Sequence, residues 1–243
     1  LAVAADGSRL PLGVLSLENI VRPEEPKGRR KTKKSRGAAD SESLKWERGV
    51  LAAEKALGGR ASLIHLMDRE ADIYAHLAKM TARSIRFVAR VAQNRVAEDA
   101  EGVGKLFDLW EASEEIVTRN VPLSRRLRAT KQHPRRSERR ANLSLASKTL
   151  TLHRPTSASK ALPPTLTLNF AHVFEKSPPP GEAPIDWNLV TSEPCGTQQE
   201  IEAVVSAVYP NDGRKFAVTY PRKPYPGIGK DASITFSLND WRG

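Results

Sequence analysis

The sequence predicts an α/β fold with a β-rich segment inserted into it. Three observations lead there. Over residues 1–95, short apolar runs alternate with stretches of helical period, in the order strand, strand, helix, strand, helix, strand. Over residues 96–182, helical periodicity gives way to short alternating runs separated by basic or Pro-rich segments. Over residues 183–208 a strand and a helix return, and residues 209–243 follow neither pattern. A chain of 243 residues suits one large domain or two small ones.

Each element has a local reason. Leu1 to Ala5 and Leu10 to Ile20 flank the turn signal Asp6-Gly7-Ser8, which predicts a β-hairpin. The Asp-Gly turn chemistry accounts for Asp6 better than a catalytic role does. Pro23 and Pro26 end this segment. Ser41 or Ser43 then offers an N-cap, and Trp46, Val50, Ala53 and Leu57 recur on one helical face, stopped by Gly58-Gly59. Ser62 to Met67 reads as a buried strand, Ile73, Leu77 and Met80 as a helix, and Ile85 to Val91 as the next strand.

Leu106 to Trp110 predicts a short helix. Strands are expected at Ile116 to Leu123, Asn142 to Leu145, Thr149 to His153 and Thr165 to Glu175. After the linker Ser177-Pro178-Pro179-Pro180-Gly181 come a strand at Trp187 to Thr191 and a helix at Gln198 to Val208.

Composition excludes several classes. No stretch approaches 18 uninterrupted apolar residues and mean hydropathy is −0.47, which excludes a membrane-spanning helix. A single cysteine, Cys195, excludes a disulfide framework and a multi-cysteine zinc site. His65, His76, His133, His153 and His172 have no mutual metal-ligand spacing. The chain starts at Leu1 without methionine or signal peptide, so a natural N-terminus upstream is expected.

The net charge of +11 is concentrated in two places. Residues Lys27 to Arg36 hold seven basic residues and no acid; residues Arg125 to Arg140 hold eight and one acid, Glu138. Each nets +7, leaving −3 for the rest of the chain. Local excess of this kind is the footprint of a polyanion-binding surface. The alternative is two solvated loops.

Asp68 is the leading chemical candidate. It follows the buried strand abruptly, at the sheet edge where α/β folds bind ligands. Beside basic segments, a carboxylate there suits a divalent metal over a nucleic-acid phosphate, although two-metal phosphoryl transfer needs several carboxylates. The residue type leaves a second reading open, an N-cap for the following helix.

The run Leu66-Met67-Asp68-Arg69-Glu70-Ala71-Asp72-Ile73 resembles the Asp-Arg-Glu-Ala-Asp signature of cut-and-paste transposases of the insertion-sequence-four family. Val14 to Pro26 resembles that family's second hairpin strand, and Arg86 to Arg90 its next strand. Leu106 to Leu109 resembles the start of its insertion, and Gly181 to Pro194, ending Thr-Ser-Glu-Pro, its return strand. The resemblance covers about residues 1 to 206, in order.

It implies a partial ribonuclease-H-like fold: residues 1–95 as its first part, 96–182 as a β-rich insertion, 183–208 as the returning strand and helix. It also implies a triad of two Asp and one Glu that holds Mg²⁺ (or Mn²⁺) for in-line attack at transposon-end DNA, a homodimer, and a bacterial, nucleoid-associated location in the cytoplasm. By resemblance Asp68 is the second carboxylate and metal ligand, Arg90 contacts backbone phosphate, and Trp187 stacks on a flipped-out base. The alternatives are a solvated strand-edge arginine at 90 and a core aromatic at 187. Glu193 reads as structural or capping. Lys27, Arg29, Arg30, Lys31, Lys33, Lys34, Arg125, Arg126 and Arg128 are the expected DNA-binding cations.

The sequence departs from the family pattern in two places. The first Asp belongs upstream of Leu1. The last Glu belongs to a Tyr–Arg–Glu helix motif near Tyr209, where Asp212 and Phe216 stand instead and Pro210 and Gly213 break the helix. Residues 209–243 are expected to be a disordered or frameshifted tail, and translation of the other two frames after the Val205 codon tests the frameshift. The family's dimerisation region is expected to be absent, along with its N-terminal DNA-recognition region. Without two carboxylates the metals lack ligands, so no cleavage by this chain alone and marginal stability are expected. A non-enzymatic DNA-binding module using the basic segments is the competing expectation. A nuclease pairing Asp68 with Asp72 or Glu70 is a third; in the first two, Glu70 points elsewhere and Asp72 caps a helix.

Overall fold

The structure, a computed structural model, describes residues 1–5, 10–18, 44–111, 113–126 and 135–208, and the backbone of 217–221 and 233–237. It is mixed α/β, with a mixed sheet and few helices. No helix among the described residues is long and apolar enough to cross a membrane. The chain divides into two compact units. One comprises Leu1–Ala112, Thr149–Phe170 and Leu189–Pro194; the other comprises Ser113–Lys148, Ala171–Asn188 and Cys195–Gly243.

The first unit opens with a hairpin, β1 (Ala2–Val3) against β2 (Pro11–Gly13). The second hairpin strand is shorter than the apolar run Leu10 to Ile20 suggests, and of the described residues of that run Leu10, Leu12, Val14 and Leu17 are exposed. Helix α1 (Leu44–Leu57) follows, buries Val50, and stops where predicted. Gly58 and Gly59 take φ of 54° and 77°, a left-handed exit in which L side chains are strained. The Gly58 amide closes on the Glu54 carbonyl at 2.9 Å. Arg60 donates to the last carbonyls, from Nε to Leu57 at 3.1 Å and from Nη2 to Ala56 at 3.2 Å.

β3 (Ile64–Met67), helix α2 (Tyr74–Ala82) and β4 (Arg86–Arg90) form a parallel crossover unit. Phe87, Val88 and Ala89 are fully buried and Leu77 anchors the helix. That continuous apolar run is what a strand covered on both faces requires. β4 is also antiparallel to β10 (Asp186–Thr191), with Leu189 opposite Arg90 and Thr191 opposite Val88.

Two short strands absent from the sequence reading, β5 (Val96–Glu98) and β6 (Val103–Lys105), form a hairpin. Their signal was Asp99–Gly102: the Asp99 Oδ1 accepts from the amides of Glu101 (2.8 Å) and Gly102 (3.1 Å). Helix α3 (Leu106–Glu111) follows, its Phe107 amide donating to Asn94 Oδ1 at 3.0 Å. β5 pairs with β8 (Arg139–His153) through residues 151 and 152, and β9 (Thr165–Phe174) lies between β8 and β10 in the order β3-β4-β10-β9-β8-β5-β6. One core joins Met67, Leu77, Phe87, Leu106, Trp110 and Phe170, with Trp110 edge-on to Phe170 at 5.5 Å. Each fully buried large side chain there contributes about 1.5–3 kcal/mol.

His76 is 4% exposed, with Nε2 3.3 Å from the Met67 sulfur. Burial pushes its pKa below the ordinary histidine value; Glu47 opposes that shift, while Lys79 and His65 add to it. The unfolded chain therefore takes up the proton first. Stability should be full above pH of about 6.5 and fall as pH drops below it. Urea midpoints at pH 7.5 and 5.5 should differ less in His76→Leu than in the parent chain; an unchanged difference would refute the assignment.

In the second unit, β7 (Glu115–Leu123) is antiparallel to residues 139–146 of β8, with Asn120 opposite Asn142. One face is apolar, through Val121, Leu123, Ala141, Leu143 and Leu145. The other is polar, through Thr118, Asn120, Arg140 and Asn142. Helix α4 (Gln198–Val208) buries Ile201, Val204 and Val205, and Ser206 Oγ accepts from Arg119 at 2.8 Å. The Thr197 hydroxyl and Glu200 carboxylate cap its start reciprocally.

Two predicted strands, Asn142 to Leu145 and Thr149 to His153, are a single strand, β8. Ala141, Leu143 and Leu145 are buried at odd positions, Leu150 and Leu152 at even ones. A change of phase therefore reads as a break in the sequence, while the backbone runs on. Arg139 and Arg140 accordingly begin a strand and do not sit in a basic loop. In the tail, β11 (Ala217–Pro221) and β12 (Ser233–Ser237) pair antiparallel as a separate two-stranded sheet.

Candidate functional site

Parallel pairing places Asp68 and Arg90 together. β3 and β4 align Ile64 with Arg86 and Met67 with Ala89, so the next residues, Asp68 and Arg90, stand side by side where the strands end. Asp68 Oδ1 accepts from Arg90 Nη1 at 3.2 Å. The carboxylate side chain is 41% exposed, whereas the guanidinium is 7% exposed. Arg90 is thus a buried cation aimed at an accessible acid, which corrects the solvated-arginine alternative. Asp68 does stand at the N-cap of the 3₁₀ turn Arg69–Ala71, but its side chain makes no capping hydrogen bond. Its carboxylate faces the arginine.

The other acids of the signature are committed elsewhere. Glu70 is exposed and pairs with Lys45. Asp72 is 2% exposed and accepts at Oδ2 from the amides of Ala92 (2.7 Å) and Gln93 (2.9 Å), while Oδ1 pairs with Arg95. The expectation that Asp72 caps a helix is therefore corrected: the N-cap of α2 is Ile73, without a side-chain cap, and Asp72 ties the 3₁₀ turn to the segment leaving β4. Glu70 and Asp72 each pair with a cation of their own, Lys45 and Arg95, and neither pairs with the arginine that meets Asp68.

Below the pair, Glu193 Oε1 accepts from Arg86 Nε at 3.0 Å, and Arg86 Nη1 donates to Ser62 at 2.8 Å. Arg86 is held charged chiefly by that bond to Glu193. The Thr-Ser-Glu turn stitches β10 to β4: Thr191 Oγ1 donates to the Phe87 carbonyl at 2.6 Å, and the Phe87 amide donates to Ser192 at 2.8 Å.

The implied magnesium can be tested against these donors. Two-metal chemistry needs several convergent carboxylates. Among the described residues no group of three or more His, Cys, Asp or Glu could hold a metal ion. Asp68 faces a guanidinium, and its neighbours in the signature are engaged. Among the described residues, Asp68 is the accessible carboxylate of the signature, and its polar partner is Arg90.

Trp187, the second residue of β10, belongs to the second unit and is 8% exposed, so the indole is a buried side chain there. Arg125 is exposed. Arg126 pairs by backbone with Arg136, at 2.9 and 3.2 Å. Asp6, the Ser41 and Ser43 caps, Lys27, Arg29, Arg30, Lys31, Lys33, Lys34, Arg128, His133, Tyr209, Asp212 and Phe216 lie outside the described residues.

Sequence reasoning missed three buried or half-buried clamps: Asp72 with Arg95, Arg86 with Glu193, and Arg139 with Glu175. The last is bidentate, with Arg139 Nη2 2.7 Å from Glu175 Oε2 and both side chains at 10% exposure or less. Their partners are 23, 107 and 36 residues apart, beyond any local pattern. No protein-family model matches the chain.

Proposed function

We propose that the chain is a transposase-related polypeptide with a partial ribonuclease-H-like core, which holds DNA through its basic segments and does not cut it unaided. The observation that carries this reading is the meeting of Asp68 and Arg90 at the ends of two parallel strands. Those are the two positions at which the sequence resemblance puts an acid and a phosphate-contacting arginine. The concentration of charge in Lys27 to Arg36 and Arg125 to Arg140 supplies the polyanion footprint. Among the described residues Asp68 meets Arg90 and not a second carboxylate, which favours occupation of DNA over cleavage, because phosphoryl transfer depends on the charge stabilisation that several carboxylates and their metals provide.

Two measurements on the purified chain test it. Affinity for a DNA duplex should fall about 10³-fold or more between 50 and 200 mM salt if six or more phosphates are contacted. Replacing the seven cations of Lys27 to Arg36 by serine should flatten that slope, while Asp68→Ala should leave affinity unchanged. No binding at 50 mM salt overturns the DNA reading. Mg²⁺-dependent nicking of supercoiled plasmid that Asp68→Ala abolishes overturns the non-cutting half.

A further inference from the structure

The second unit carries a cleft of about 370 Å³ at the end of the second basic segment, lined by Arg139 and Arg140. Its floor is the polar face of the β7–β8 ladder, with Thr118, Arg140, Asn142 and Ser144; its wall is Lys176, Ser177 and Pro179 after β9. Two carboxylates line it, and both are engaged. Glu175 is saturated by Arg139 and also accepts from the Ile185 amide at 3.2 Å. Glu115 pairs with Lys176 at 2.7 Å.

Arg140 differs from the other two cations. Its Nε donates to Asn120 Oδ1 and its Nη2 to the Asn120 carbonyl at 3.3 Å. Both acceptors are neutral, so these bonds orient the guanidinium without cancelling its charge. Asn120 in turn donates from Nδ2 to Asn142 Oδ1, which leaves the Asn142 amide nitrogen as a donor. The relay fixes an exposed, charged donor fork beside a side-chain amide, with Lys176 above them on a 59%-exposed side chain. Such an array fits the tetrahedral oxygens of a phosphate: the guanidinium N–H groups that Asn120 leaves over for two of them and the Asn142 amide for a third, with Lys176 held back by Glu115.

We propose that this cleft seats a backbone phosphate of a bound nucleic-acid strand, with Arg140 as the anchoring residue and Glu115 as the group that restrains Lys176. This rests on the DNA reading above and adds a contact outside the Asp68–Arg90 site. Duplex affinity of the full chain, measured by fluorescence anisotropy across a salt series, tests it with two variants of opposite sign. Arg140→Ala should weaken binding about tenfold and lower the salt slope by about one phosphate. Glu115→Gln releases Lys176 and should tighten binding and steepen the slope, an effect that loss of structure cannot mimic.

Titration of the chain with inorganic phosphate, followed by NMR, separates a strand from a free anion. If the duplex binds and neither variant changes the slope, the cleft proposal fails and the DNA reading stands. If no duplex binds but phosphate perturbs the cleft in an Arg140-dependent way, the seat stands as an anion site and the DNA reading fails. If neither duplex nor phosphate responds to Arg140, the seat is refuted.

Discussion

Asp72→Ala should destabilise the chain by about 3–5 kcal/mol, enough to lose a large part of a typical domain's stability. The carboxylate is buried and is the acceptor for two backbone amides and for Arg95, whose side chain is 9% exposed. Removing it leaves a buried guanidinium without its counter-charge and two amides without their acceptor. Asp72→Asn keeps one acceptor oxygen but loses the charge, so it should fall between. Urea unfolding followed by tryptophan fluorescence gives the answer, and a loss under about 1 kcal/mol would show that water replaces the carboxylate at little cost. Asp68→Ala, in the same signature, should cost less, since Asp68 is 41% exposed and accepts no backbone amide, although it takes a carboxylate partner from the buried Arg90.

That contrast shows what the sequence could and could not disclose. Met67 ending a buried run made the position of Asp68 legible, and Arg90 followed from the next apolar run. Gly58-Gly59 fixed the end of α1, and the Trp46–Leu57 spacing its face, while its start was left open between two serines. The role of Asp72 was hidden because its partners, Ala92, Gln93 and Arg95, are contributed by a loop whose path depends on where β4 ends. β5 and β6 are three residues each, too short for alternation to register. β8 was split because its inward parity changes between Leu145 and Leu150. Of the charge concentrations, the first lies outside the described residues, and part of the second, Arg139 and Arg140, proves to be strand.

Glu175→Ala is the second substitution expected to cost about 3–5 kcal/mol, this time in the second unit. Arg139 is held charged chiefly by its hydrogen bonds to Glu175, and the same carboxylate accepts from Ile185. Removing the acid strands the guanidinium at 10% exposure. The compensating experiment is more telling. Arg139→Leu combined with Glu175→Met removes both charges and fills the space with apolar atoms, and should recover most of the loss. If the double variant is as unstable as Glu175→Ala, the Ile185 amide and not the ion pair is what the carboxylate serves.

The bond from Thr191 to the Phe87 carbonyl spans 104 residues of chain. During synthesis β4 meets its parallel neighbour β3 almost at once, whereas its other neighbour, residues 189–191, has yet to be made. At about 5–20 residues per second, a ribosome needs about 5–20 s to deliver it. Throughout that interval Phe87-Val88-Ala89 presents a bare, apolar hydrogen-bonding edge on the nascent polypeptide, open to pairing with a neighbouring nascent chain on the same messenger. Refolding yield should therefore fall as chain concentration rises, and a holdase present during translation should restore it.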